Sequence, residues 1–197
     1  MGQYYSILTK RNNKFTTYSR SFYLTNGKTD YEPAKLTEHS WINNHTMSCF
    51  SNIILRKPTR VAWVGDYADQ YDETDTVNNL TYNEILELHY QAWEKESKIM
   101  TFRPLLVKYL ILVNWDKKEY VIMYEYIEKS TTEDGWCLHP LSLLTALGNG
   151  FGGGDYRGIN QDKVGSWCFD TISFESYDIE EKLKEQNFTK LDIEFKE

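Results

Sequence analysis

The run Leu105-Leu106-Val107-Lys108-Tyr109-Leu110-Ile111-Leu112-Val113 is followed by Asn114-Trp115-Asp116-Lys117-Lys118 and then by Tyr120-Val121-Ile122-Met123-Tyr124-Glu125-Tyr126-Ile127. Two apolar runs rich in branched and aromatic side chains, joined by a short polar link, predict a hairpin of two long strands at the centre of a sheet. The same pairing recurs on either side. Residues 3–9 and 14–24 read as strands, with Asn26-Gly27 as a turn after them. Val61-Ala62-Trp63-Val64, closed by Gly65, reads as a short buried strand, and Trp167 to Phe174 as another. Phe188 to Phe195 alternates apolar and polar residues, as a half-exposed strand does.

Helices are fewer. Thr81-Tyr82-Asn83-Glu84 has the form of a capping box. Tyr82, Ile85, Leu86, His89, Tyr90 and Trp93 then recur on one face, which predicts a helix over residues 82–97 with His89 as a satisfied core histidine. Pro33 predicts a helix running through Trp41 and stopped by Asn43-Asn44. Pro140 and Gly148 bracket a short helix carrying Leu141, Leu144 and Leu147, and Asp178 caps one over residues 179–186. Paired strands with three to four helices predict an α+β fold, a single domain over residues 1–197 with a largely antiparallel sheet.

Composition narrows the classes. A chain with 41% hydrophobic and 15% aromatic residues is globular rather than disordered. A net charge of −7 and the lack of a basic cluster argue against nucleic acid as a partner and suit a basic protein. Cys49, Cys137 and Cys168 are odd in number and far apart, which argues against a zinc motif or a disulfide framework and for a reducing, cytoplasmic location. No apolar run approaches membrane-spanning length, so no membrane partner is expected.

Function points to Gly148-Asn149-Gly150-Phe151-Gly152-Gly153-Gly154-Asp155-Tyr156-Arg157-Gly158, which holds six of the chain's 11 glycines. Such a run lets backbone approach a bound group closely and offers bare N–H donors to an anion. It fits neither the phosphate loop, which ends in Lys-Ser/Thr, nor the dinucleotide fingerprint, which follows a strand. Gly152, Gly153, Gly154 and Arg157 are the candidate holders of an anion, with Tyr67, Tyr156 and Trp41 stacking a ring. The bland alternative is a tightly turned loop in which Asp155 braces its glycines, as aspartate often does.

Together Met1-Gly2-Gln3-Tyr4-Tyr5, Glu38-His39-Ser40-Trp41, Trp63-Val64-Gly65-Asp66-Tyr67-Ala68-Asp69 and the segment from His139-Pro140 through the glycine run resemble a family of uncharacterised proteins of bacteria and their phages. The resemblance implies no activity. It marks the four blocks as one candidate site.

Three readings follow. The leading one is a binding protein for a small polar ligand, a nucleotide or phosphorylated metabolite. The second is a hydrolase that uses Asp66, Asp155 and His39, with Asp69 beside them. The third is an interaction module, such as a phage-type inhibitor of a host protein. No cofactor is implied, and unprotected edge strands leave a homodimer open.

Overall fold

The computed structural model describes residues 1–196. In chain order the elements are β1 (Tyr5–Arg11), β2 (Lys14–Tyr23), β3 (Thr29–Tyr31), α1 (His45–Ile54), β4 (Thr59–Gly65), α2 (Tyr82–Trp93), β5 (Ser97–Thr101), β6 (Leu110–Asn114), β7 (Glu119–Ile122), α3 (Met123–Ser130), α4 (Pro140–Leu144), β8 (Ala146–Leu147), β9 (Thr171–Ser176), α5 (Glu180–Glu185) and β10 (Thr189–Lys190). The strands form one sheet in the order β10-β7-β6-β9-β4-β1-β2-β3, with β5 added to β2 and β8 to β4. Six pairings are antiparallel, and only β10 with β7, β5 with β2 and β8 with β4 run parallel. The expected α+β class with a largely antiparallel sheet therefore holds, with five helices among the described residues.

β1 is an interior strand, paired with β4 on one side and β2 on the other, and both of its faces are apolar. Tyr5 and Ile7, with Val61 and Trp63 of β4, enter the main core against Met47, Phe50 and Ile54 of α1 and Leu141 and Leu144 of α4. Leu8, Ala62 and Val64 face the other way, against Ile85, Leu88 and Ala92 of α2. The alternation along each strand thus feeds two cores, as a sheet covered on both sides requires. A third, smaller cluster packs Leu183 of α5 on Ile111, Val113, Tyr120 and Ile122. No helix among the described residues is long and apolar enough to cross a membrane.

Five sequence expectations change. The helix expected from Pro33 does not form. Its backbone is spent across the chain instead, with Tyr5 donating to the Ala34 carbonyl at 2.7 Å and Thr37 donating to the Gly154 carbonyl at 3.0 Å. Asn44, expected to stop a helix, starts one: its side chain accepts from the Met47 N–H at 3.2 Å and caps α1. The second arm of the central hairpin is strand only to Ile122, after which Met123, Tyr126 and Ser130 are buried at helical spacing in α3. Its tyrosines and isoleucine are strand formers overridden by packing. The first arm is likewise strand only from Leu110, and just Thr189–Lys190 of the C-terminal stretch pairs.

The capping box of α2 is as the sequence indicates. The Thr81 N–H and hydroxyl both donate to Glu84 Oε2, at 2.8 and 2.7 Å, and these bonds hold the Glu84 carboxyl below its ordinary range. Thr81→Ala and Glu84→Ala should each lower stability by about 1 kcal/mol in urea unfolding. The double variant should lose less than the sum, because the two side chains form one device.

Candidate functional site

The four sequence blocks do meet, and what they enclose is the chain's own N-terminal segment. Asp155 is the hub, with only 6% of its surface exposed. Its Oδ2 accepts from the N–H groups of Gly150 and Gly152, both at 2.8 Å, and its Oδ1 from the Tyr5 hydroxyl at 2.9 Å. Burial, with the Asp155 charge second, pushes the Tyr5 hydroxyl well above its ordinary pKa, so this phenol stays a donor. Asn149 closes the loop by pairing with both backbone groups of Tyr156, at 2.8 and 3.2 Å. The loop is stitched to the N-terminal segment by Gln3 N–H donating to the Gly153 carbonyl at 2.9 Å and by Gly153 N–H donating to the Met1 carbonyl at 3.0 Å.

Glycine is required here by close approach. Gln3 is fully buried, and its side chain lies across Gly65 at the end of β4 and Gly152 in the loop. A Cβ on Gly65 would stand 1.8 Å from Gln3 Nε2, and one on Gly152 would stand 2.4 Å from Gln3 Cβ. No real side chain tolerates such distances, so both positions must stay bare for Gln3 to pass.

The candidate residues stand differently from what composition suggested. The N–H groups of Gly152 and Gly153, expected to cradle a ligand's anion, already donate to Asp155 and Met1, and the Gly154 carbonyl accepts from Thr37. Tyr156, expected to stack a ring, is a core residue with no exposed surface, packed edge-on against Phe195 at 5.4 Å. Arg157 is exposed and takes no part in the hydrogen bonds that close the loop. Tyr67 is half-buried and begins the short helical turn Ala68–Gln70, in which Asp69 is exposed. Trp41 is elsewhere: its Nε1 donates to the Glu38 carbonyl at 2.8 Å and its ring tilts on Trp136 at 5.2 Å.

The hydrolase constellation is not assembled. Asp155 has both oxygens occupied by neutral donors. Asp66 Oδ1 accepts from Tyr4 N–H at 3.0 Å while Asp66 N–H donates to the Tyr4 carbonyl at 2.8 Å, so the residue continues the pairing of β4 with the N-terminal segment. Burial raises the Asp66 carboxyl, against the pull of that backbone bond and of Arg20 and His89. His39 is half-buried, with Nδ1 covered and unpaired, and no hydrogen bond joins it to either aspartate. Among the described residues no three His, Cys, Asp or Glu side chains could hold a metal ion together. The cysteines are buried and free, and burial pushes the Cys49 thiol up to about 12 and Cys137 to about 11, far from a thiolate nucleophile.

His139, at the start of the fourth block, caps α4 with Nδ1, which accepts from Leu141 N–H at 3.2 Å, while Nε2 lies 3.2 Å from the Ser51 hydroxyl. An acceptor at Nδ1 requires the neutral ring, and burial holds its pKa down to about 3.

A second region was not visible as a site in the sequence. A groove of about 770 Å³ is lined by Lys108, Tyr109, Tyr124, Ile127, Glu128 and Tyr177. Further along the same face of α3 a groove of about 480 Å³ carries Trp41, Trp136 and Thr131, and Ile127 lines both. Tyr109 is 63% exposed and Trp136 55%. Tyr124 and Ile127 were legible only as strand residues, and Trp136 stands between a polar loop and the apolar pair Cys137-Leu138, so it read as the edge of a core rather than as a surface residue. A tryptophan directly after Gly135 at a loop end was the one available signal.

No protein-family model matches this chain, and neither a curated protein nor a solved structure does.

Two outcomes test the site's geometry. Asp155→Ala should cost roughly 3 kcal/mol or more, since three bonds to one charge are lost at about 1.5–3 kcal/mol each before relaxation, whereas Arg157→Ala should change stability by less than about 0.5 kcal/mol. Urea unfolding measures both. His139 has a folded-state pKa below its unfolded value of 6.5. The stability it supports is complete above about pH 6.5 and is lost as pH falls from there towards 3. A urea midpoint followed through that window should drop in the parent protein and drop less in His139→Gln.

Proposed function

We propose that the protein is a recognition module that binds another protein through the aromatic surface along α3. One observation carries this reading: tyrosine and tryptophan rings remain exposed along one face of one helix, in two grooves that share Ile127. Tyr124 meets Tyr177 at 5.9 Å and Trp41 meets Trp136 at 5.2 Å, so the rings are held in place before any partner arrives. Rigid Tyr and Trp side chains supply large contact area at small entropic cost, and they dominate binding hot spots. Lys108 and Glu128 add a cation and an anion at the groove, neither of them in an ion pair with the described residues, and these give a partner orientation. A net charge of −7 favours a basic partner, as an inhibitor of a host protein would meet. Two grooves sharing a wall suit an extended partner better than a single small molecule.

The test is site-specific photo-crosslinking in the native cells. A photoreactive residue at Tyr109, Tyr177 or Trp136 should give one common adduct, and the same residue at Tyr82, outside the patch, should give none. Absence of any adduct at the patch positions, or equal labelling at Tyr82, would contradict the reading.

A further inference from the structure

Beside α2, on elements other than those of the aromatic surface, polar groups gather without the partners that burial normally supplies. His89 and Trp93 lie one turn apart on α2, and His89 Nδ1 and Trp93 Nε1 are both covered and without a hydrogen-bond partner. Arg20 of β2 has its guanidinium carbon 5.1 Å from the Tyr4 ring, 5.4 Å from Tyr31 and 5.7 Å from Trp93. That guanidinium makes no ion pair and no hydrogen bond with the described residues. Asp66 stands close enough to feel the charges of both Arg20 and His89, yet forms an ion pair with neither. One of its oxygens takes the Tyr4 N–H.

We propose that this cluster is a binding site for a free α-amino acid. The site offers one cation and one anion held apart, and an α-amino acid offers the complementary pair as two substituents of one carbon. Arg20 takes the carboxylate through its fork of N–H donors, in the two-bond geometry that guanidinium and carboxylate share. Trp93 Nε1, which can only donate, adds a bond to the same carboxylate. Asp66 takes the ammonium, and His89 Nδ1 is a second acceptor for it in the Nε2-protonated ring. Three rings around Arg20 hold its long side chain and reduce the entropy lost on binding. Arg20 and Asp66 are only part-buried, and binding requires the flexible Arg20 stem to move so that the ligand reaches the two covered ring nitrogens. A lone anion would leave Asp66 facing it, and a lone cation would meet Arg20, so the zwitterion is the ligand that balances both charges.

The experiment is a thermal-shift titration of the full chain with each of the common amino acids at about 5 mM, beside acetate, methylamine and inorganic phosphate as single-charge probes. At least one amino acid should raise the melting temperature while all three probes leave it unchanged. Arg20→Gln and Asp66→Asn should abolish that rise, and Asp66→Asn keeps an oxygen for the Tyr4 N–H, so the fold survives. Chemical shifts of the Trp93 indole N–H should move with the same titration. No shift with any amino acid, an equal shift with acetate or phosphate alone, or a shift retained in both variants would overturn the proposal.

Discussion

The Asp155 carboxylate, buried under a loop of glycines, is the interaction on which the structure turns. Its charge is stabilised by two backbone donors and one phenol, and nothing else in the loop could replace them. Glycine at this density is costly in conformational entropy, and bare N–H groups left unpaired would be costlier still. The carboxylate resolves both difficulties at once, because it is itself the anion that the nest of N–H groups attracts. The loop is closed from within, and its outer face carries Arg157 without needing it.

The consequence extends through the sheet. Tyr5, tied by its hydroxyl to Asp155, stacks on Trp63 at 6.1 Å, and Trp63 stacks on Phe50 of α1 at 5.6 Å. A single line of contacts therefore runs from the glycine loop through β1 and β4 into the main core. Gln3, threaded past Gly65 and Gly152, fixes where β1 enters that line. The loop, the N-terminal segment and the end of β4 are in this sense one unit, and a change in any of them reaches β1 inside the sheet. The aromatic surface on α3 lies apart from that unit, whereas the cluster beside α2 adjoins it through Asp66 and Tyr4, which pair backbone to backbone.

Much of this was legible beforehand where local chemistry and packing agree. The capping box at Thr81 and Glu84, and the apolar run of β4, describe themselves. The stretch from Tyr120 to Ile127 did not, because Tyr and Ile favour strands in isolation and only the burial of Met123, Tyr126 and Ser130 makes a helix of the second half. Pro33 offered a helix start, but its segment is drawn out along β1 by bonds to residues far away in the chain. At the site, composition revealed the glycine loop and raised Asp155 as a brace, yet could not say that the bracing exhausts the donors. His89 read as satisfied because its helical face is apolar. That its Nδ1 is covered and lacks a partner is a result of tertiary packing, which the helical pattern alone does not carry.

The most direct measurement is amide hydrogen exchange, read by NMR on the ligand-free protein at Gly150, Gly152 and Gly153. Exchange reports local opening, and amides bonded to buried acceptors open only with the structure around them. The account predicts slow exchange at all three glycines, with protection at Gly150 and Gly152 lost in Asp155→Ala. Fast exchange at these amides in the parent protein, slowed only when a small anion is added, would contradict it and restore the loop as a ligand cradle.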